Sequence, residues 1–230
     1  MRIFQTAAAF VLPALLLQAC HHPTPHAEPA TETPPPAAEV SLPPFAEIES
    51  GATQIAGAVH ASPPELRDAA TVLGYTADGS VVTLRQGSNH LICLADRPGD
   101  ERFQIACYQE ALEPYMARGR ELRSQGVTGP DSINRRHEEI EAGTLFMPSA
   151  PAAVYTLGGD LEIFDPATGE ISGGRSIYAL YTPYETEVST GLSTTPASPG
   201  APWIMRPGTP TSHIMVTPPV PAPTTEADAG

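Results

Sequence analysis

The chain has no lysine. All 12 of its basic residues are arginine, set against 26 acidic ones, for a formal charge of −14 over 230 residues. An acidic surface of that kind excludes electrostatic attraction to nucleic acid or to anionic lipid headgroups, so no nucleic-acid partner is expected. Signatures of catalysis are also missing. No Gly-x-Ser-x-Gly elbow surrounds Ser88, Ser189 or Ser212, no zinc-hydrolase helix occurs, and no Gly-rich loop joins a strand to a helix. Glu162 and Asp165 lie three apart at a strand end, the pattern of a solvated turn. Neither a catalytic residue nor a cofactor is expected. Cysteine is scarce: there are 3, with no Cys-x-x-Cys, which leaves too few thiolates for a zinc centre. The amino-terminal apolar run, residues 7–17, is too short to span a bilayer as a mature helix.

What is present begins with that run. Arg2 precedes it and Leu17–Gln18–Ala19–Cys20 closes it, an ending that resembles a bacterial lipoprotein signal. The resemblance implies removal of residues 1–19, acylation of Cys20 on sulfur by palmitate-type chains, and retention on a membrane through those chains. The expected location is the bacterial cell envelope, facing the periplasm or the exterior. On this reading Cys93 and Cys107 are left as a pair, and an export compartment lets them form a disulfide. Two reduced core thiols are the alternative.

The 27 prolines cluster at the two ends. Residues 20–45 have almost nothing to bury and read as a hydrated tether, with His21, His22 and His26 as tether residues. A polyproline stretch of that length reaches about 75 Å. Residues 46–217 form the expected folded domain, and residues 218–230 a disordered tail.

Within the domain, Ser62–Pro63–Pro64–Glu65 has the spacing of a helix start, predicting a short helix capped by Ser62. Residues 71–76 and 80–85 read as a hairpin turned by Asp78–Gly79. A corner at Gly87–Ser88–Asn89 leads to a strand over 91–97, then a Pro98–Gly99–Asp100 turn and a return ending at Cys107. The stripe Tyr108, Ala111, Leu112, Tyr115, Met116, Leu122 follows helical spacing, interrupted at Pro114. A polar helix over 132–142 follows, capped by Asp131 and ended by Gly143. Residues 152–157, 161–164 and 176–181 are strand-like, the first gap suiting a tight hairpin at Gly158–Gly159. Residues 186–202 read as a loop, and residues 203–205 and 213–216 as two last strands. The expected fold is α+β: a small antiparallel sheet, two or three short helices, one disulfide and disordered Pro-rich ends.

Several of these segments resemble a group of exported bacterial proteins for which no activity is implied. The matching residues are Leu84–Arg85–x–Gly87–Ser88–Asn89 with Cys93 and Cys107, then Thr190–Gly191–Leu192 and Pro202–Trp203–Ile204–Met205. The last is Pro207–Gly208–Thr209–Pro210–x–Ser212–His213–Ile214–Met215. The resemblance implies that the amino-terminal sheet and the carboxy-terminal strands share one fold.

Two sets of side chains carry chemistry. His213 and Met215 share a strand face, and with Met205 they offer imidazole and thioether, which suit soft Cu(I); the more ordinary reading is a core strand whose Met fills a gap and whose His hydrogen-bonds a carbonyl. Asn89, His90 and Trp203 are candidate ligand-binding residues, although Asn at such corners commonly serves the backbone. Two functions fit. One is a non-catalytic lipid-anchored module that binds a protein or a glycan, or is structural. The other is a periplasmic metal- or ligand-handling protein using the His213/Met215 face.

Overall fold

The computed structural model describes residues 50–219. The leader, Cys20, the tether, residues 46–49 and the tail from residue 220 lie outside the described residues. Ser50 caps helix α1 (Gly51–Ala58), its hydroxyl accepting from Thr53 N at 3.2 Å. A 3-10 turn continues α1, and Ser62 closes it by donating to Val59 O at 2.9 Å. The hydroxyl expected to cap the next helix is therefore spent on the preceding one. Helix α2 (Pro64–Arg67) is a single turn entered through Pro63.

Strands β1 (Thr71–Tyr75) and β2 (Val81–Arg85) make the expected hairpin, with Gly79 at φ 79° forming its corner. Strand β3 (Leu91–Leu94) then crosses to the other side of β1 and pairs with it in parallel, Val72 opposite Cys93. Its connector must pass the start of β1, and there it grips the backbone. Arg85 Nε donates to Ala70 O (3.1 Å). Ser88 N and Asn89 N donate to Ala69 O (2.8 and 3.1 Å), and Asn89 Nδ2 to Leu66 O (2.8 Å). The Leu-Arg-x-Gly-Ser-Asn stretch is thus a clamp on the turn that enters the sheet.

The chain continues through β4 (Phe103–Gln109), α3 (Glu113–Ser124), α4 (Gly129–Glu141) and β5 (Ala152–Gly159). Then come β6 (Phe164–Asp165), β7 (Glu170–Ile171), β8 (Arg175–Tyr181), α5 (Glu187–Thr190), β9 (Trp203–Met205) and β10 (His213–Val216). Pro114 falls in the first turn of α3, where its missing N–H costs nothing, so it starts the helix instead of kinking one. The polar helix begins three residues earlier than expected, at Gly129, with Thr128 as N-cap and Asp131 inside its first turn.

One sheet of eight strands runs β2-β1-β3-β4-β5-β8-β10-β9, and β6–β7 is a separate hairpin. The mixed α and β character holds, as does the cysteine pair: Cys93 and Cys107 are cross-strand partners with sulfurs 2.06 Å apart. The small antiparallel sheet does not hold. The sheet is large, its β1–β3 pair is parallel, and five α-helices accompany it. The difference arises at Gly158–Gly159, where no hairpin forms. Strand β5 runs straight through both glycines, between β4 and β8, and this joins the strands on either side into one sheet.

The register sorts side chains into two faces. On the first, Val72, Cys93, Cys107, Ile105 and Phe103 lie beneath α1 and the excursion over residues 160–174. Phe164 stacks on Phe103 with centroids 5.2 Å apart, and His60 Nε2 donates to Gly169 O at 3.0 Å. On the second face, Tyr108, Leu112, Val154 and Ala152 form a core with Ile92, Met116, Ala179 and Tyr181. Arg118 of α3 grips Glu139 of α4 with two parallel bonds (2.6 and 2.8 Å), which gives the polar helix a tertiary partner.

Candidate functional site

The helices cover only part of the second face. The cross-strand row Leu94–Ala106–Thr156–Ile177, next to the covered row, is half-exposed and belongs to neither core cluster. This row is the floor of an open trough. Neighbouring strands lie about 4.8 Å apart, so the floor is about 14 Å long. A cavity of about 530 Å³ opens at its β3 end, between the sheet and the last turns of α3, lined by Tyr75, Leu94, Arg97, Arg120 and Arg123. A second of about 230 Å³ lies at the β8 end, lined by Arg102, Gln104, Thr156, Arg175 and Ile177. Arg175 also lines a third, of about 530 Å³, with Trp203, Pro196, Pro199 and Pro218. Floor and cavities follow one another across the sheet.

The arginines here are held in different ways. Asp100 accepts from Arg97 on one oxygen (3.1 Å) and from Arg123 on the other (2.6 Å). Arg120 donates to Glu113 (2.5 Å) and to Tyr108 Oη (2.9 Å), while Tyr108 donates to the second oxygen of Glu113 at 2.6 Å. Burial pushes the Tyr108 phenol well above its ordinary pKa, so it stays a neutral donor. Arg102 approaches Asp160 at 3.9 Å, an exposed and weak contact. Arg175 has no ion pair or side-chain hydrogen bond among the described residues. The two acids that line the trough have donors of their own: Asp78 accepts from Thr76 and Ser80, and Glu121 from Arg118.

The residues singled out from the sequence fall in three places. Trp203 lies at one end of the trough. His90 lines a smaller opening on the first face with Leu66, Leu91 and Tyr155. Asn89 borders it too, but its amide is occupied by Leu66 O and Leu91 N. His213, Met205, Met215 and Trp203 do share one face of β9–β10. His213 is buried there, stacked on Tyr181 with centroids 4.9 Å apart, and its Nδ1–H donates to Thr211 O at 2.7 Å. Among the described residues no group of three His, Cys, Asp or Glu side chains is placed to hold a metal. Of the serines considered as nucleophiles, Ser189 completes the capping box of α5 and Ser212 donates to Glu185 O. The arginines of the trough carry no sequence signal, because they come from three separate segments: the β3–β4 link, α3 and the start of β8.

His60, His137 and His213 all have lowered pKa values, chiefly through burial, with Arg67 adding to the effect at His60 and Arg206 at His137 and His213. The unfolded chain takes up a proton on each near pH 6.5, whereas the folded chain resists it. Their contribution to stability is complete above that value and is lost as pH falls through the lower folded values. The lowered carboxylates, Glu139, Asp78 and Asp165, act only further down, below about pH 4. The melting temperature should therefore fall between about pH 7 and pH 5, and His213→Gln should flatten that slope. An equal slope in the variant would remove His213 from the account.

Comparison of the chain with protein-family models, with curated proteins and with solved structures found no match.

Proposed function

We propose that the chain is a lipid-anchored protein of the bacterial cell envelope whose folded part binds an extended ligand and does not transform it. The leader ending in Leu17–Gln18–Ala19–Cys20 supports the anchor, with acyl chains on Cys20 as the link to the membrane. The observation that carries the binding role is the trough. It is open, several side chains long, and furnished with guanidinium, amide, hydroxyl and indole groups, while its two acids are already engaged. That set recognises and orients a ligand.

The test has two arms. Expressed in a lipoprotein-processing bacterium, the wild-type chain should fractionate with membranes and Cys20→Ser should not. Equal partitioning of the two would remove the anchor. In the second arm, full-length Cys20→Ser protein should be retained by isolated envelope polysaccharide. Trp203→Ala and Arg175→Ala should reduce that retention; if they do not, the trough is not the binding surface.

A further inference from the structure

Resting on the reading of the trough as a binding site, we infer that its ligand is a linear, carboxylate-bearing polysaccharide strand of the uronic-acid type. Three observations lead there, and each excludes something different.

The first is the floor. Strands β3, β4, β5 and β8 are interior to the sheet, and each is paired on both sides. An extended peptide binds a sheet chiefly by adding a strand to an open edge, where main-chain groups are free and alternate side chains find pockets. Here the backbone groups beneath the ligand already sit in the ladder. Recognition must come from side chains alone, over a floor kept low by Ala106 and by the absence of a side chain at Gly158. A ribbon of flat rings fits such a surface; an acidic peptide has nothing there to pair its amides with.

The second is Trp203. It is the chain's only tryptophan, half-buried in a wall of prolines at the end of the trough. An indole face presented on rigid surroundings stacks well on the C–H face of a sugar ring; Arg175 in the same cavity, and Gln104 and Thr156 in the adjoining one, supply hydrogen-bond partners for hydroxyl groups.

The third is charge. On a chain with formal charge −14, five of the twelve basic residues, Arg97, Arg102, Arg120, Arg123 and Arg175, line this one trough. Glu113 and Asp100 hold Arg120 and Arg123 from outside the lining. A guanidinium carries five N–H donors, so one that is fixed by a carboxylate behind it keeps donors for a second carboxylate in front. Arg175, without such a partner among the described residues, is the position where an incoming carboxylate gains most. The rest of the acidic surface repels a polyanion, which restricts it to this strip.

The single tryptophan makes the test direct. Full-length Cys20→Ser protein is titrated with galacturonic-acid hexasaccharide, with the neutral galactose hexasaccharide and with a glutamate hexapeptide, and emission from Trp203 is followed. The acidic glycan should change the emission saturably, with binding that weakens as salt rises, and the neutral glycan should bind about tenfold or more weakly. Arg175→Ala should remove most of that difference while leaving the melting temperature nearly unchanged, since Arg175 is exposed and its side chain makes no hydrogen bond or ion pair among the described residues. Equal affinity for acidic and neutral glycan overturns the charge assignment. Tighter binding of the glutamate peptide overturns the glycan assignment. If no probe binds while Trp203→Ala still reduces retention by envelope polysaccharide, the ligand class is wrong and the trough stands. If retention is insensitive to Trp203, the trough itself falls.

Discussion

Gly87→Ala should destabilise the fold by about 3 kcal/mol or more, a fall of roughly 10 °C in melting temperature for a domain of this length. A Cβ at residue 87 would lie 2.2 Å from Thr71 N, 2.4 Å from Ala69 O and 2.4 Å from Ala70 C. All three are backbone atoms, so no side chain can swing aside. The origin is topological. The link from β2 to β3 crosses the start of β1, and the five residues available bring two backbones into contact. Gly87 N also donates to the Thr71 hydroxyl at 3.0 Å, which fixes the crossing point. Gly74→Ala is the informative control. There the added carbon would meet side-chain atoms instead of backbone: Leu84, which can turn aside, and the Gln54 amide oxygen, whose displacement would cost its bond from Tyr75 N. Its effect should be clearly smaller, and urea titration of the two variants measures the gap. A Gly87→Ala protein with an unchanged midpoint would mean that the crossing is not packed as described.

Replacing both Cys93 and Cys107 by alanine should cost about 3 kcal/mol, the loop-closure value for a separation of 14 residues. Both sulfurs sit in the first core, fully buried, with Cys107 Sγ 3.4 Å from Ala58 O. The double variant should therefore lose packing as well as the crosslink. Reductant supplies the check: wild-type protein in strong reductant should melt near the double variant, whose own melting should ignore reductant. Non-reducing mass spectrometry should give one linked peptide pair. Two alkylatable thiols in protein isolated from the envelope would sink the assignment.

The local punctuation of this chain was easier to read than its long-range pairing. The β1–β2 corner, the turn at Gly99 and the final strands at residues 203–205 and 213–216 are signalled by glycine, proline and alternation within a few residues. Cys93 opposite Cys107 also follows from a short reversal with both side chains on one face. What failed was whatever needed knowledge of a distant partner. Nothing local tells β3 to leave the meander and join β1 in parallel. Nothing local tells β5 to pass through Gly158–Gly159, since paired glycines serve a turn and a flat strand equally well. Helix α1 is rich in alanine and glycine and shows no stripe. Its place is set by tertiary contacts, including Gln54, whose amide accepts from Tyr75 N (2.7 Å) and donates to Tyr75 O (3.0 Å).

The candidate site divides in the same way. Trp203 could be picked out because a lone tryptophan near a chain end is conspicuous. Arg97, Arg120, Arg123 and Arg175 could not, because only the sheet register and the tilt of α3 bring them to one strip. The short motifs richest in chemistry make structural contacts. Asn89 holds a turn, and His213 fills a core position against Tyr181. Ser212 and Thr209 secure the chain around Tyr184 and Arg206, which adopt φ of 65° and 53°.

The position of the disulfide matters once force is considered. If the proposed anchor holds one end and the proposed polymer fills the trough, the protein would be pulled whenever the two move apart. Pull from the amino-terminal side would reach α1 first among the described elements, and α1 rests on the β3–β4 pair. The covalent link between those strands withholds the intervening loop from extension, about 45 Å of chain at full stretch. Were the helix to give way under such a load, the strand pair beneath it would still be held in register by the crosslink.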